Sequence, residues 1–261
     1  MKRLIALMLG LCMVLTLCAC SKTGGAYTLV DTVTEGDYAL GFRKDDPLGD
    51  YVEAALQVLA AQGKVAELEV KWFNDDCINI SKDAAALEKL GDVPQRSLIM
   101  GLDPDNFPMS YVSSGVYMGV DVELCRAVCD LLGWQLKFAE VEDESKAFVH
   151  LSSGNVDVVW GGMILDPNAK NYDVRCPYME GGTVVMALAG NGLNSMRKLE
   201  GKKLGMNEAQ RYSDALTLTN LGGTCEVIVT DEGNDQLFDS LYKGTYDAIL
   251  ADYAAAKYYM R

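Results

Sequence analysis

Residues 97–111 read SLIMGLDPDNFPMSY, residues 119–134 GVDVELCRAVCDLLGW, residues 152–167 SSGNVDVVWGGMILDP and residues 173–189 DVRCPYMEGGTVVMALA. Ser97–Leu102 is a short apolar run halted by Asp103 and Pro104, which predicts a buried strand ending in a loop. Val122, Leu124, Cys125, Val128, Cys129 and Leu132 recur at helical spacing, so a helix is expected over 121–134, with Asp121 at its start and Gly133 near its end. Gln135–Val141 alternates and predicts a strand, Glu144–Ser152 a helix, and Val156–Trp160 a buried strand. Strand and helix alternate, so the fold class is α/β.

A second unit repeats the theme. Strands are expected at 203–206, 225–229 and 246–250, and helices at 214–220 and 235–241. Gly154-Asn155-Val156-Asp157 and Gly244-Thr245-Tyr246-Asp247 each precede two apolar residues, as if a glycine closed a helix and the chain then entered a buried strand. Two lobes built alike are implied, and open sheets bind ligands outside the carboxyl ends of their strands. Function is therefore expected in the loops 103–111, 161–170, 207–212 and 251–253.

The segments quoted first resemble the front lobe of the type II, family 3 solute-binding proteins that serve ABC importers of polar amino acids. In that family a stretch ending Lys-Trp-Phe closes the chain. Here the similar stretch, DYALGFRKDDPLGDYVEAALQVLAAQGKVAELEVKWF, occupies 37–73, ahead of the front lobe. The resemblance implies a periplasmic-binding-protein type II fold with a circularly permuted chain. It divides the chain into 27–35 with 188–261 as one lobe, 36–73 with 97–187 as the other, and 74–96 as a linker between the family's usual termini. Lobe crossings are expected near 34–37 and 186–190, and Lys82–Leu90 of the linker favours a helix. The alternative is an unrelated helical extension over 27–74.

The first residues carry a basic pair, Lys2 and Arg3, then an apolar run from Leu4 to Leu17, then Leu17-Cys18-Ala19-Cys20. This resembles a lipoprotein signal over 1–19, cleaved before Cys20, which takes lipid, with 20–26 as a flexible tether. An ordinary signal peptide with chance cysteines is the other reading. The net charge of −14 argues against nucleic acid or an anionic lipid surface as partner. Cys77, Cys125, Cys129, Cys176 and Cys225 have no paired CxxC spacing, and His150 is the lone histidine, so no metal site is expected.

For the ligand site, the resemblance places the family's carboxylate-binding arginine at Ala169 and its threonine at Ile164, so that clamp is missing from Gly161-Gly162-Met163-Ile164 onward. The family's ammonium-binding aspartate matches Asp252, which also precedes a helical run and suits a helix cap. The aromatic positions fall on Asn106, beside Phe107, and on Glu144, which belongs either to a solvated acidic loop or to the cleft. With Asp103, Glu144 and Asp252 in the cleft, a second amine or a cationic head would be favoured, with Phe107, Tyr111 and Tyr253 offering ring faces. Arg211 is the replacement candidate for the clamp, or a surface residue. It lies with Glu208 in the 207–212 loop, where backbone N–H groups of the next helix also attract anions.

The resemblance implies a lipid-anchored, extracytoplasmic receptor that closes its lobes on an amino acid or amine-bearing relative and delivers it to an ABC permease, without a cofactor. A receptor for quaternary amines, a ligand sensor and a dehydratase-like enzyme are the alternatives. No Ser/His/Asp set supports the last.

Overall fold

The computed structural model describes residues 25–141 and 144–261. The signal segment, Cys20 and most of the tether lie outside the described residues. Eleven strands and eight helices follow in chain order among the described residues. They are β1 (Tyr27–Arg43), α1 (Leu48–Ala61), α2 (Lys64–Trp72), β2 (Ser97–Leu102), β3 (Asp105–Asn106), β4 (Ser110–Ser113), β5 (Val116–Met118), α3 (Val120–Leu132), β6 (Gln135–Glu140), α4 (Ala147–Ser152), β7 (Val158–Val159) and β8 (Tyr172–Leu188). Then come β9 (Lys203–Asn207), α5 (Gln210–Thr219), α6 (Leu221–Thr224), β10 (Glu226–Thr230), α7 (Asn234–Tyr242), β11 (Ala248–Asp252) and α8 (Tyr253–Met260).

The main sheet has the order β10-β9-β11-β8-β1-β7-β2-β6. Its centre is an antiparallel ribbon of two 17-residue strands, β1 and β8, paired from Tyr27–Leu188 to Arg43–Tyr172. On one side β2 pairs in parallel with β6 and β7, and on the other β9 pairs in parallel with β10 and β11. In each half the first strand is central and the next two flank it, so both halves are α/β lobes wound the same way.

The repeated Gly-x-x-Asp signal has one physical role in both lobes. The Asp157 carboxylate accepts the Ile99 N–H of β2 at 2.9 Å, and Asp157 N–H donates back to the Ile99 carbonyl at 2.9 Å. Asp247 does the same at β9, accepting from Lys203 N–H and donating to the Lys203 carbonyl, both at 2.9 Å. Each aspartate thus locks the start of the central strand to the strand it precedes.

Apolar residues cover both faces of both lobes. Leu48, Val52, Leu56, Leu68 and Trp72 of α1 and α2 share a core with Leu98 and Met100 of β2 and with Val122, Cys125 and Cys129 of α3. Val141, Leu151, Val159 and Met163 fill the opposite face under α4. Leu204, Met206, Tyr212 and Leu250 form one core of the other lobe, and Met186, Leu237, Phe238 and Ile249 the other. The 74–96 segment is itself packed: the Glu69 carboxylate accepts Cys77 N–H at 2.7 Å, and Ile78 and Ile80 are buried. Among the described residues no helix is long and apolar enough to cross a membrane.

Several expectations are corrected. The strand expected at 27–34 runs on to Arg43, because β8 pairs with it along its whole length apart from three register shifts, at Leu29/Asp31, Thr32/Thr34 and Tyr38/Leu40. The second lobe crossing lies opposite 34–37, at 180–183, and not at 186–190; Thr183–Ala187 already pair with β11. The helix expected over 82–90 shrinks to a 3-10 turn at Leu87–Leu90, and the one over 144–152 begins as a 3-10 turn at Glu144–Lys146. Asp121 lies in the first turn of α3 as expected, with its carboxylate turned to other partners described below. The helix after β9 starts at Gln210, because Asn207 Oδ1 accepts Ala209 N–H at 3.0 Å and turns the chain at once.

The crossing itself demands a glycine. Gly182 has φ +146°, and a Cβ there would lie 2.0 Å from the Thr34 carbonyl oxygen. Gly182→Ala should lower the urea midpoint of unfolding, with a loss of about 1–3 kcal/mol or more from backbone strain and displaced pairing. An unchanged midpoint would show that the ribbon tolerates a side chain at its crossing.

Candidate functional site

The carboxyl ends of β2, β6, β9 and β10 converge between the lobes around a half-open cavity of about 430 Å³. Asp103 and Asp105 line it from the β2 end, Glu140 from β6, Asn207 and Glu208 from β9, and Asp231 and Glu232 from β10. Beside it, Arg211 sits in the first turn of α5 with its guanidinium buried. Its Nη2 lies 3.9 Å from Asp103 Oδ2 and its Nη1 3.6 Å from Glu144 Oε2, both on the opposite lobe. The guanidinium also rests on the Tyr212 ring at 5.0 Å.

Asp252, the last residue of β11, is fully buried. Its Oδ1 accepts from Ala254 N–H at 2.9 Å, capping α8, and from the Tyr38 hydroxyl. Its Oδ2 has no hydrogen-bond partner among the described residues, and neither do Arg211 Nε and Glu144 Oε2. Native proteins leave few such atoms, and Arg211 Nε and Asp252 Oδ2 share this cleft, while Glu144 Oε2 has only the Arg211 charge at 3.6 Å.

A chain of neutral and charged hydrogen bonds frames them. Asn234 Nδ2 donates to Asn106 Oδ1 at 3.0 Å, joining the lobes directly. Asn106 Nδ2 donates to the Gly162 carbonyl at 2.6 Å, and Gly162 N–H donates to Asp121 Oδ2 at 2.7 Å. The Tyr178 hydroxyl donates to Asp121 Oδ1 at 2.6 Å, and the Tyr212 hydroxyl to Asn234 Oδ1 at 3.1 Å. Gly162 is obligatory here: φ is +69°, and a Cβ would meet Asn106 Nδ2 at 2.2 Å.

Burial sets the electrostatics. It pushes Asp103 up to about 6, with Arg211 and the Asp105 N–H pulling back. It pushes Asp121 up to about 7 against the bonds from Tyr178 and Gly162. Asp252 is also raised by burial, opposed by Arg211 and Tyr38. Burial works against the Arg211 charge, but the Tyr212 oxygen, Glu144, Asp252 and Asp103 raise its pKa well above the ordinary value.

The structure brings Asp103, Glu144, Arg211 and Asp252 together, with Glu208 exposed at the cavity wall and Asn106 and Gly162 bridging. Phe107 and Tyr111 turn elsewhere, into a ring cluster with Trp72 and Tyr258. Met163 buries its side chain under α4 and gives its carbonyl to Ala39 N–H at 3.4 Å. Gly161 packs on Leu102 and Ser110. Tyr253 lines a separate groove with Asp37 and Glu180. Sequence reasoning passed over Asn234, Tyr38, Asp121 and Tyr178. The loop after β10 obeys the same carboxyl-end rule as its neighbours and would have led to Asn234. Tyr38 and Tyr178 lie in apolar strand runs that read only as core.

Two similar α/β lobes, crossed by paired strands and closed over a polar cleft, define the type II periplasmic-binding-protein fold. The sequence profile of bacterial extracellular solute-binding proteins, family 3, matches residues 98–256, and the chain belongs to that family. It is 27% identical over 132 residues to the arginine-binding extracellular protein ArtP of Bacillus subtilis (strain 168), covering 50% of this chain and 51% of that protein. It is 24% identical over 169 residues to a probable amino-acid ABC transporter-binding protein of Haemophilus influenzae, covering 64% and 63%. The chain thus spans about half to under two thirds of the length of these curated relatives. Among solved structures, an ancestral arginine-binding protein bound to arginine is 28% identical with a TM-score of 0.50, covering 61% of this chain and 71% of that one. An ancestral amino-acid-binding precursor of cyclohexadienyl dehydratase shares the fold at 24% identity and a TM-score of 0.52, covering 66% and 75%.

The raised carboxylates give a signed pH dependence. Asp103 and Asp121 hold protons more tightly folded than unfolded, so the folded state binds more protons between about pH 4 and 7. Their contribution to stability is therefore present at low pH and lost as pH rises through about 6 and about 7. Urea unfolding across this window should show stability falling more steeply between about pH 4 and 6 in wild type than in Asp103→Asn, which keeps only the decline due to the other raised carboxylates. Parallel curves would mean Asp103 titrates normally.

Proposed function

We propose that this protein is the receptor of an ABC importer and captures an amine-bearing amino acid by closing its lobes. The observation that carries this reading is the trio of buried, unmatched atoms: Arg211 Nε, Asp252 Oδ2 and Glu144 Oε2. An α-amino acid supplies what two of them, Arg211 and Asp252, lack. Its carboxylate takes the Arg211 donors, in place of the clamp that Ala169 cannot provide, and its ammonium takes Asp252 Oδ2. The ribbon of β1 and β8 absorbs the opening rotation, and the Asn106–Asn234 bond seals the closed form. The relatives named above are binding proteins, and one is an arginine-binding protein, which supports a receptor and not an enzyme. Among the described residues no group of three His, Cys, Asp or Glu is disposed to hold a metal ion.

On this reading the protein works outside the cytoplasmic membrane, held by lipid on Cys20, and hands its ligand to a permease. The family match opens at residue 98, after the strand and two helices of 27–73. That supports a circular permutation, with 27–35 and 188–261 as one lobe and 36–73 and 97–187 as the other, trimmed at the crossing as noted.

Mass spectrometry of small molecules released from gently denatured protein should reveal an amino acid or a close amine. Calorimetry with that ligand should show Asp252→Ala weakening binding by at least about 30-fold, since a buried charge pair loses one partner. Undiminished affinity would leave Asp252 as a helix cap only.

A further inference from the structure

We propose that Arg211 occupies the site's own cation subsite when no ligand is bound, and that the ligand is an amino acid with a cationic side chain that exchanges with it on Asp103 and Glu144. This rests on the amino-acid reading above and names the substrate class within it.

The starting point is an ion triad that spans the cleft. Arg211, from α5 of one lobe, is buried between Asp103 at the end of β2 and Glu144 of the other lobe. The distances of 3.9 and 3.6 Å are those of charge neighbours, longer than good hydrogen bonds, and Nε has no partner. The guanidinium is therefore held by charge and by its contact with Tyr212, and no short bond to Asp103 or Glu144 fixes its aim.

Charge counting then restricts the ligand. The cleft centre holds one described cation, Arg211, against buried Asp103 and Asp252 and part-buried Glu144. A neutral zwitterion would spend its ammonium on Asp252 and draw Arg211 onto its carboxylate. Asp103 would then lose its only described cation while nearly buried, and Glu144, its side chain 26% exposed, would lose its own, which is costly for Asp103 above all. A ligand with a further positive charge replaces the guanidinium on those two carboxylates as it releases it. Every charged group then keeps a partner through the exchange.

The adjoining cavity has the chemistry for that second charge. Asp103, Asp105, Glu140, Glu208, Asp231 and Glu232 line it, and none of its described lining residues is basic. Asp103 belongs to both places: it lines the cavity and touches Arg211. A side chain leaving the α-carbon near Arg211 and Asp252 would pass Asp103 into about 430 Å³ of acid-walled space. Burial, and then the charges of Glu140 and Asp235, raise the Asp105 pKa at this wall.

Calorimetry tests this with L-arginine, L-lysine, their uncharged counterparts L-citrulline and L-norleucine, and agmatine, which lacks the carboxylate. Wild type should bind L-arginine or L-lysine at least about tenfold tighter than the uncharged counterpart. Asp103→Asn and Glu144→Gln, checked for folding by circular dichroism, should each shrink that ratio severalfold. Equal binding of charged and uncharged amino acids, or a ratio untouched by both variants, would overturn the exchange and leave the amino-acid reading standing. Agmatine binding as tightly as L-arginine, or no binding by any of the four amino acids, would overturn the amino-acid reading and the exchange with it.

Discussion

The antiparallel pairing of β1 with β8 is the constraint on which both lobes depend. Each parallel three-stranded block has an open edge, and unpaired backbone groups inside a fold are expensive. The ribbon closes both edges, β7 pairing with β1 and β11 with β8, so one pair of strands forms a wall of each lobe. Because the ribbon runs through both, the lobes stay in one sheet yet share two chain crossings among the described residues. Gly36, Gly181 and Gly182 stand at that passage, where side chains would collide with Ile164, Tyr38 or the Thr34 carbonyl. The central strands of both blocks then end facing each other, and the cleft arises from topology before any ligand group is considered.

Two kinds of contact cross that cleft, and they differ in cost. The Asn106–Asn234 bond is between neutral amides, each able to return to water on opening. The Arg211 triad moves charges between water and a low-dielectric gap, where partial pairing is penalised far more heavily. Neutral contacts can therefore set the closed geometry while charge balance sets which molecules make closure favourable. Asp121 supports the arrangement from behind, tying Gly162 and Tyr178 together beneath the bridging Asn106.

Much of the site could be read from the chain because its charged members lie at strand ends. Asp103, Arg211 and Asp252 follow β2, follow β9 and end β11, and carboxyl-end loops are where such sheets bind. Glu144 sits at the turn after β6 and could equally have faced solvent; what fixed it was Arg211 arriving from the other lobe. Phe107 and Tyr111 were placed by a competing apolar cluster, since Trp72 and Tyr258 offered burial that a polar cleft does not. Met163 went under α4 for the same reason. Tyr38 and Tyr178 were hidden because a tyrosine in an apolar strand has the same pattern whether its hydroxyl meets water or a buried carboxylate.

The sequence by itself determined the α/β class, the paired winding of two lobes and the loops that bear the charged groups. Hydrophobic period, glycine stops and strand-end aspartates are local signals, and they survive any arrangement of the lobes. Only the tertiary structure decided that Arg211 faces Asp103 and Glu144, that Asn106 meets Asn234, and that Asp252 keeps one oxygen unmatched. These pairs lie on different lobes and far apart in the chain. Their meeting depends on how the β1–β8 ribbon bends and on which buried charges can find partners once water is excluded.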